Sequence, residues 1–260
     1  MSAVLLDQIL APGGLRTVFQ PIYRVKSEGK PRLVGVECLT RGPRGTNAEN
    51  AGVMFEYVRR KRQENVVDRA CILSALCAAR KLGGSPRISV NAHASTLARD
   101  RGFPSFLAEA ARKRNIPLDR ITLEIVEHGP ALDGISFASA LAEVRSHKMR
   151  VALDDVGVGA SNLKMMLDCK PDYFKVDRHF VTDVHSDPGK RAMMEAIVHI
   201  SRSIGGEVVA EGVETNRELE TVAAMGIELI QGYLFCSALE TEKLLEREPS
   251  LRPSPQPEVN

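Results

Sequence analysis

The sequence predicts an α/β fold, a (β/α)8 TIM-like barrel with one antiparallel strand. Three observations carry this. Eight short apolar runs alternate with helical patterns, without a linker-like break. The first two runs are joined by a turn too short for a crossover, so they form a hairpin and one strand opposes the rest. Acids, amides or an ammonium recur where the later runs end, which is where such a barrel places its active site.

In chain order, a short helical stretch precedes residues 17–25 (TVFQPIYRV), the first strand. A polar turn over 27–31 leads to the second, 33–39. Residues 51–82 read as one long helical region ended by Gly83-Gly84. Phe55, Val58, Val66, Ala70, Leu73 and Leu76 supply its expected buried stripe. Strand 87–91 is followed by helical 96–114, interrupted near Gly102-Phe103-Pro104, and strand 121–126 by helix 135–147. Strand 150–155 precedes helix 162–167, strand 173–176 precedes helix 190–204, and strand 207–210 precedes helix 218–225. The eighth strand is read as 229–235. One barrel domain over 1–247 accounts for this pattern, and the Pro-rich, polar 248–260 reads as a disordered tail.

Composition bounds the function. With 260 residues, 43% hydrophobic and 26% charged, the chain is an ordinary globular protein. A net charge of +2, no Trp and 5% aromatics argue against binding a nucleic-acid polymer. Five cysteines lack CxxC spacing and read as reduced thiols, so a cytoplasmic location is expected. No apolar run reaches membrane-spanning length, and the first residues lack a signal-peptide pattern.

The polar groups follow the topology. Glu37 lies near the end of the second strand and Asn91 of the third. Glu124 and Glu127 mark the fourth, and Asp154 with Asp155 end the fifth. Lys175 and Asp177 sit at the sixth, Glu211 and Glu214 at the seventh, and Gln231 in the eighth. Adjacent carboxylates at the end of a buried strand raise each other's pKa, a cost that a divalent cation removes. Taken alone, Asp154-Asp155 is equally well read as a turn cap beside a solvated acid. Solvated acids, however, would not recur at seven strand ends. Oxygen donors without His or Cys suit Mg²⁺ or Mn²⁺, and there are enough for two ions. Two ions about 4 Å apart serve in-line displacement at phosphorus, with Lys175 able to orient water or balance charge. Arg41 is a candidate phosphate contact, though an ordinary surface Arg would be spaced the same way. His128 could face the site; the other histidines read as structural or exposed.

The stretches VECLTR, SVNAHAS, LEIVEHG, ALDDVGVGASNL, PDYFKVDRHFV, VAEGVET and QGYLF, in that order and after FQPI, resemble the EAL family of cyclic di-GMP phosphodiesterases. The resemblance runs from about Phe19 to Phe235. It implies hydrolysis of cyclic di-GMP to linear pGpG with two Mg²⁺ or Mn²⁺ ions. It places Glu37, Asn91, Glu124 and Asp154 at one metal, and Asp155 and Glu211 at or near the other. Glu37, Lys175 and Glu211 take the catalytic roles, and Arg41, Gln231 and Asp177 lie on the substrate side. Glu127 and Glu214 are supporting glutamates, Glu127 as an anchor for the loop after the Asp pair. A homodimer, with a separate sensor protein as a further partner, is the implied assembly. The chain departs from the family at Cys38, where Ala is usual, and at Val156 and Val158, where Phe and Thr are common. Cys38 should point away from the metals, and the two valines bear on regulation. Two other functions fit part of the pattern. One is a cyclic di-GMP receptor without turnover, and the other an enolase-like lyase or racemase, which would need a capping domain.

Overall fold

The computed structural model describes residues 2–26, 29–126, 134–158 and 162–253. A helix α1 (Ser2–Leu10) precedes the hairpin β1 (Arg16–Arg24) and β2 (Arg32–Arg41). Then come α2 (Ala51–Arg60), α3 (Glu64–Ala79), β3 (Arg87–His93), α4 (Ala94–Arg99), α5 (Phe103–Arg112), β4 (Ile121–Val126) and α6 (Gly134–Ser146). The second half runs β5 (Arg150–Val156), α7 (Asn162–Cys169), β6 (Tyr173–Val176), α8 (Arg178–Val181), α9 (Pro188–Ile204), β7 (Glu207–Ala210), α10 (Asn216–Ala224), β8 (Leu229–Ile230) and α11 (Thr241–Arg247).

The eight strands close in sequence order. β1 runs antiparallel to both neighbours, β2 and β8, and the remaining neighbour pairs are parallel. The hairpin forces this: a short connection cannot return a parallel strand. The main apolar core fills the layer between barrel and helices, with Phe19, Val36, Val90, Leu123, Leu153 and Phe174 on the outer strand faces. Alternation along each strand therefore sends the polar set inward. Among the described residues no helix is long and apolar enough to cross a membrane.

Four expectations need correction. The helical region 51–82 is two helices, because Arg62 takes a left-handed φ of 54° between α2 and α3. That break resets the phase. Val58 and Leu76 are buried as expected, but Val66 and Leu73 are exposed, and Val67, Cys71, Ile72, Ala75 and Ala79 carry the buried face. The eighth strand is only Leu229–Ile230, so Gln231 follows it rather than lying within it. Finally, the stretch read as a tail starts as packed structure. Pro249–Leu251 forms a 3-10 turn, Leu251 is fully buried, and its carbonyl accepts from the Gly83 amide at 2.7 Å. Residues 254–260 lie outside the described residues.

Leu251 gives a direct test of this packing. Leu251→Ala should lower unfolding free energy by about 2–5 kcal/mol, as for other buried leucines. Urea denaturation measures it, and an unchanged midpoint would mean the terminal turn adds nothing.

Candidate active site

Lys175 lies on β6 with 1% exposure, and its Nζ has four carboxylate neighbours. They are Glu211 Oε1 at 2.7 Å, Glu124 Oε2 at 2.8 Å, Glu37 Oε2 at 3.0 Å and Asp154 Oδ1 at 3.1 Å. An ammonium has three protons, so it cannot satisfy all four acceptors at once. Two amides add to the set. Asn91 Nδ2 donates to Glu37 Oε1 at 3.0 Å and Gln231 Nε2 to Glu37 Oε2 at 2.7 Å. Those bonds fix both amides, since turning either would set an oxygen against the carboxylate. The carbonyl oxygens Asn91 Oδ1 and Gln231 Oε1 are then buried with no hydrogen-bond partner among the described residues.

Asp154 and Asp155 would point to opposite faces of a regular strand. Here the register between β5 and β6 shifts between Leu153 and Val156, and Asp155 takes a left-handed φ of 50°. This bulge turns the second acid back toward the site. As a result, carboxylate oxygens of Asp154, Asp155 and Glu211 lie within 4.8 Å of one another, as do those of Glu37, Glu124 and Asp154. The two triads share Asp154.

The electrostatics follow from burial. Desolvation, with the neighbouring charges of Glu37 and Asp154, pushes the Glu124 carboxyl up to about 8 despite Lys175. Asp155 is pushed up to about 6 by burial and then by the charges of Asp154 and Asp177. Burial also raises Asp154, and Glu211 strongly. Glu37 goes the other way: burial opposes its charge, but Lys175 and the Gln231 and Asn91 hydrogen bonds outweigh it. Five acids around one ammonium are too negative to remain ionised together. The donor set fits divalent cations: hard oxygens in two clusters, plus two orphaned amide oxygens, without His or Cys.

The remaining expected residues take varied places. Asp177 and Glu214 line the same 250 Å³ cavity as Glu37, Asp154, Lys175 and Glu211. Asp177 also caps α8, its Oδ1 accepting from His179 N at 2.8 Å. Arg41 ends β2 two alternations beyond Glu37, its Nη1 donating to Thr40 O at 2.9 Å. Cys38 points into the apolar core, where burial raises its thiol well above the usual range. Glu127 and His128 lie outside the described residues, as does Gly159 of the loop. Val156 is a buried strand residue, and Phe180 packs where a Cβ on Gly157 would sit, 2.3 Å away.

Sequence reasoning missed several contributors. Gln20 pairs with Glu37 across the hairpin and lines the cavity with Arg178 and Tyr233. Arg178 also reaches Glu214 at 3.5 Å. Buried Asp68 on α3 accepts from the His93 amide at 2.9 Å and from Thr96 Oγ1 at 2.5 Å, and contacts His93 Nδ1 at 2.8 Å. It thereby fixes the end of β3 two residues beyond Asn91. Only the hairpin register, for Gln20, was within reach of the sequence.

Comparison with known proteins bears on the sequence and the fold. RocR of Pseudomonas aeruginosa, a cyclic di-GMP phosphodiesterase, is 27% identical over 90% of this chain and 60% of its own. A standalone EAL protein from Vibrio cholerae O395, solved in its c-di-GMP-bound form, is 25% identical, with TM-score 0.76 over 87% of this chain and 93% of its own. BlrP1 of Klebsiella pneumoniae, solved as a manganese and cyclic di-GMP complex, is 27% identical, with TM-score 0.77 over 89% of this chain and 58% of its own. The chain spans 27% to 60% of the length of three curated relatives that it matches. The EAL domain model matches residues 4–238, and the chain belongs to that family.

Proposed function

We propose that this chain hydrolyses one phosphodiester of cyclic di-GMP to linear pGpG. The observation that supports this most is the pair of oxygen triads sharing Asp154 around Lys175. Glu37, Asn91, Glu124 and Asp154 are the proposed ligands of one Mg²⁺ or Mn²⁺ ion, and Asp155 and Glu211, with Asp154 shared, of a second. When bound, two such ions acidify water and neutralise the phosphate oxygens. The protein's own part is positioning. Lys175 orients the attacking water and offsets charge as the phosphorus becomes five-coordinate. Glu211, whose carboxyl burial already pushes upward, takes the water's proton. Asn91 and Gln231 hold Glu37 in one orientation, leaving the Gln231 oxygen for the substrate. Arg41 and Asp177 take contacts to the nucleotide's phosphate and polar edges, and Glu127 and Glu214 support the surrounding loops. Water's oxygen bonds to phosphorus, the opposite P–O bond breaks, and the leaving oxygen gains a proton.

The unit proposed to do this is one barrel, residues 1–247, with the 249–251 turn packed on it. None of the five cysteines is in a disulfide, which suits a cytoplasmic site of action. A homodimer is proposed through α7, where Leu163 and Leu167, one turn apart, are each 67% exposed, beside α6 with Ile135 84% exposed. Signal input is then a matter for a separate sensor or an adjoining domain.

Three measurements test this reading. In metal-free protein, Glu124 and Asp155 carry raised values of about 8 and about 6, so the fold retains protons that the unfolded chain releases near about 4. The stability they contribute is full below the unfolded value and is lost as pH rises toward the folded ones. Glu37 within the site, and Asp100, Glu109, Glu218 and Glu242 outside it, are held low and act in the opposite sense, but only below about pH 5, where the unfolded carboxylates titrate. Chelated protein should therefore melt at falling temperature between about pH 5 and 8, and Mn²⁺ should reverse the fall. A flat profile would contradict the site's electrostatics.

Removing Glu37 separates enzyme from receptor. Glu37→Ala should cost on the order of a thousandfold in turnover or more, while cyclic di-GMP affinity falls far less. Chelation should likewise abolish pGpG formation. Wild-type protein that holds the nucleotide for hours with Mn²⁺ and makes no pGpG would be a receptor instead.

The dimer has its own check. Leu167→Lys should shift the sedimenting species from dimer to monomer, and a wild-type monomer at high micromolar concentration would remove the proposal.

A further inference from the structure

The larger cavity in the barrel, about 730 Å³, opens at the end opposite the acids. Its origin is legible in the strands. Counting back two residues from Asn91, Glu124 and Asp154 gives Ser89, Thr122 and Ala152, all lining the cavity. These are small where a barrel interior is usually filled by bulky branched side chains. Two further residues back stand Arg87, Arg120 and Arg150. The same alternation, run the other way along β1, leads from Gln20 through Ile22 to Arg24. Arg32 completes the mouth.

The charges there do not cancel. Five arginines line the cavity near its mouth, with Glu207 and Asp119 as the carboxylates beside them. Arg24 is held by Glu207 at 2.7 Å and Glu228 at 2.8 Å, and Arg150 by Asp172 at 2.5 Å. Among the described residues the side-chain hydrogen bonds of Arg87 and Arg120 go to backbone, at Asp119 O (2.6 Å) and Pro86 O (3.0 Å), with the Asp119 charge near Arg120 but not in an ion pair with it. Such bonds orient a guanidinium without neutralising it. Among the described residues Arg32 has no ion-pair partner. Deeper in, the Thr122 hydroxyl is buried, 1% exposed, with no hydrogen-bond partner among the described residues.

We propose that this cavity is a second ligand site, taking a small molecule that carries phosphate groups. Planar guanidinium groups pair two-pronged with phosphate oxygens, and Arg32, Arg87 and Arg120 present three of them at one mouth. The volume suits a ligand of nucleotide size. Thr122 offers a hydroxyl to whatever reaches past the arginines. The cavity's roof includes Glu124 and Lys175, so an occupant would lie directly beneath the acidic cluster.

The test is calorimetric titration of metal-free protein with inorganic pyrophosphate. Without cations the acidic end repels anions, so binding reports the other end. Wild type should bind one equivalent. Arg32→Ala, at an exposed residue that cannot unsettle the fold, should weaken binding severalfold. Arg120→Ala and the cavity-filling Ala152→Leu should each weaken it tenfold or more, and Thr122→Val severalfold. Arg60→Ala, on the exposed face of α2, should leave it unchanged. No binding at millimolar pyrophosphate would overturn the proposal. So would equal binding by wild type, Arg32→Ala and Ala152→Leu, since surface charge alone would then explain the heat.

Discussion

The buried ammonium of Lys175 is the interaction on which the interior depends. Carboxylates from β2, β4 and β5, and Glu211 just beyond β7, meet at its Nζ, each within 3.1 Å. None of these acids could be desolvated alone without a large cost. The closed sheet brings them together because each sits on an inward-facing position of its strand or at its end. The apolar residues on the outer faces and surrounding helices offset what this costs. The barrel thus breaks the rule of an apolar interior in one place and obeys it around the outside.

The bulge at Asp154-Asp155 is the second constraint. A regular β5 would give Asp154 to the interior and Asp155 to the apolar helix layer, the side on which Met165 and Met166 are packed. Placing Asp155 in the left-handed region, unfavourable for a residue with a Cβ, keeps both acids on one side. Phe180 then packs against Gly157, where any side chain would collide. The backbone strain at one residue and the missing Cβ two residues later belong to the same turn.

Much of this was readable because two periodicities coincide with topology. Period-2 runs ending in Glu, Asp, Asn or Lys mark both strand and site, so Glu37, Asn91, Glu124, Asp154 and Lys175 were accessible without coordinates. What escaped depends on single backbone torsions or distant contacts. The left-handed Arg62 splits one helical pattern into two and changes which face is buried. Leu251 in a Pro-rich, polar stretch carries no periodic signal, yet closes the core beside Gly83. Asp68 carries no sequence signal that sets it apart from a helix-surface acid, and only tertiary packing makes it the clamp on His93. The Asp pair was visible, but its bulge was not, because propensity does not mark a left-handed aspartate.

The same alternation explains why the barrel has two unlike ends. Once Glu124 and Asp154 face inward at the top, Thr122 and Ala152 must face inward below them, and Arg120 and Arg150 below those. Acid above and arginine beneath are therefore one pattern, set by strand register. Between them the interior is a single layer thick, since Glu124 and Lys175 line the lower cavity while forming the acidic cluster. A charge at the arginine end would act on those two groups at close range and through little solvent, where electrostatic interactions are least screened. It would influence the acidic end only to the extent that it favours one protonation or side-chain arrangement of Glu124 and Lys175 over another. The shared layer supplies the physical path for such an influence, and the chemistry of those two residues sets its sign.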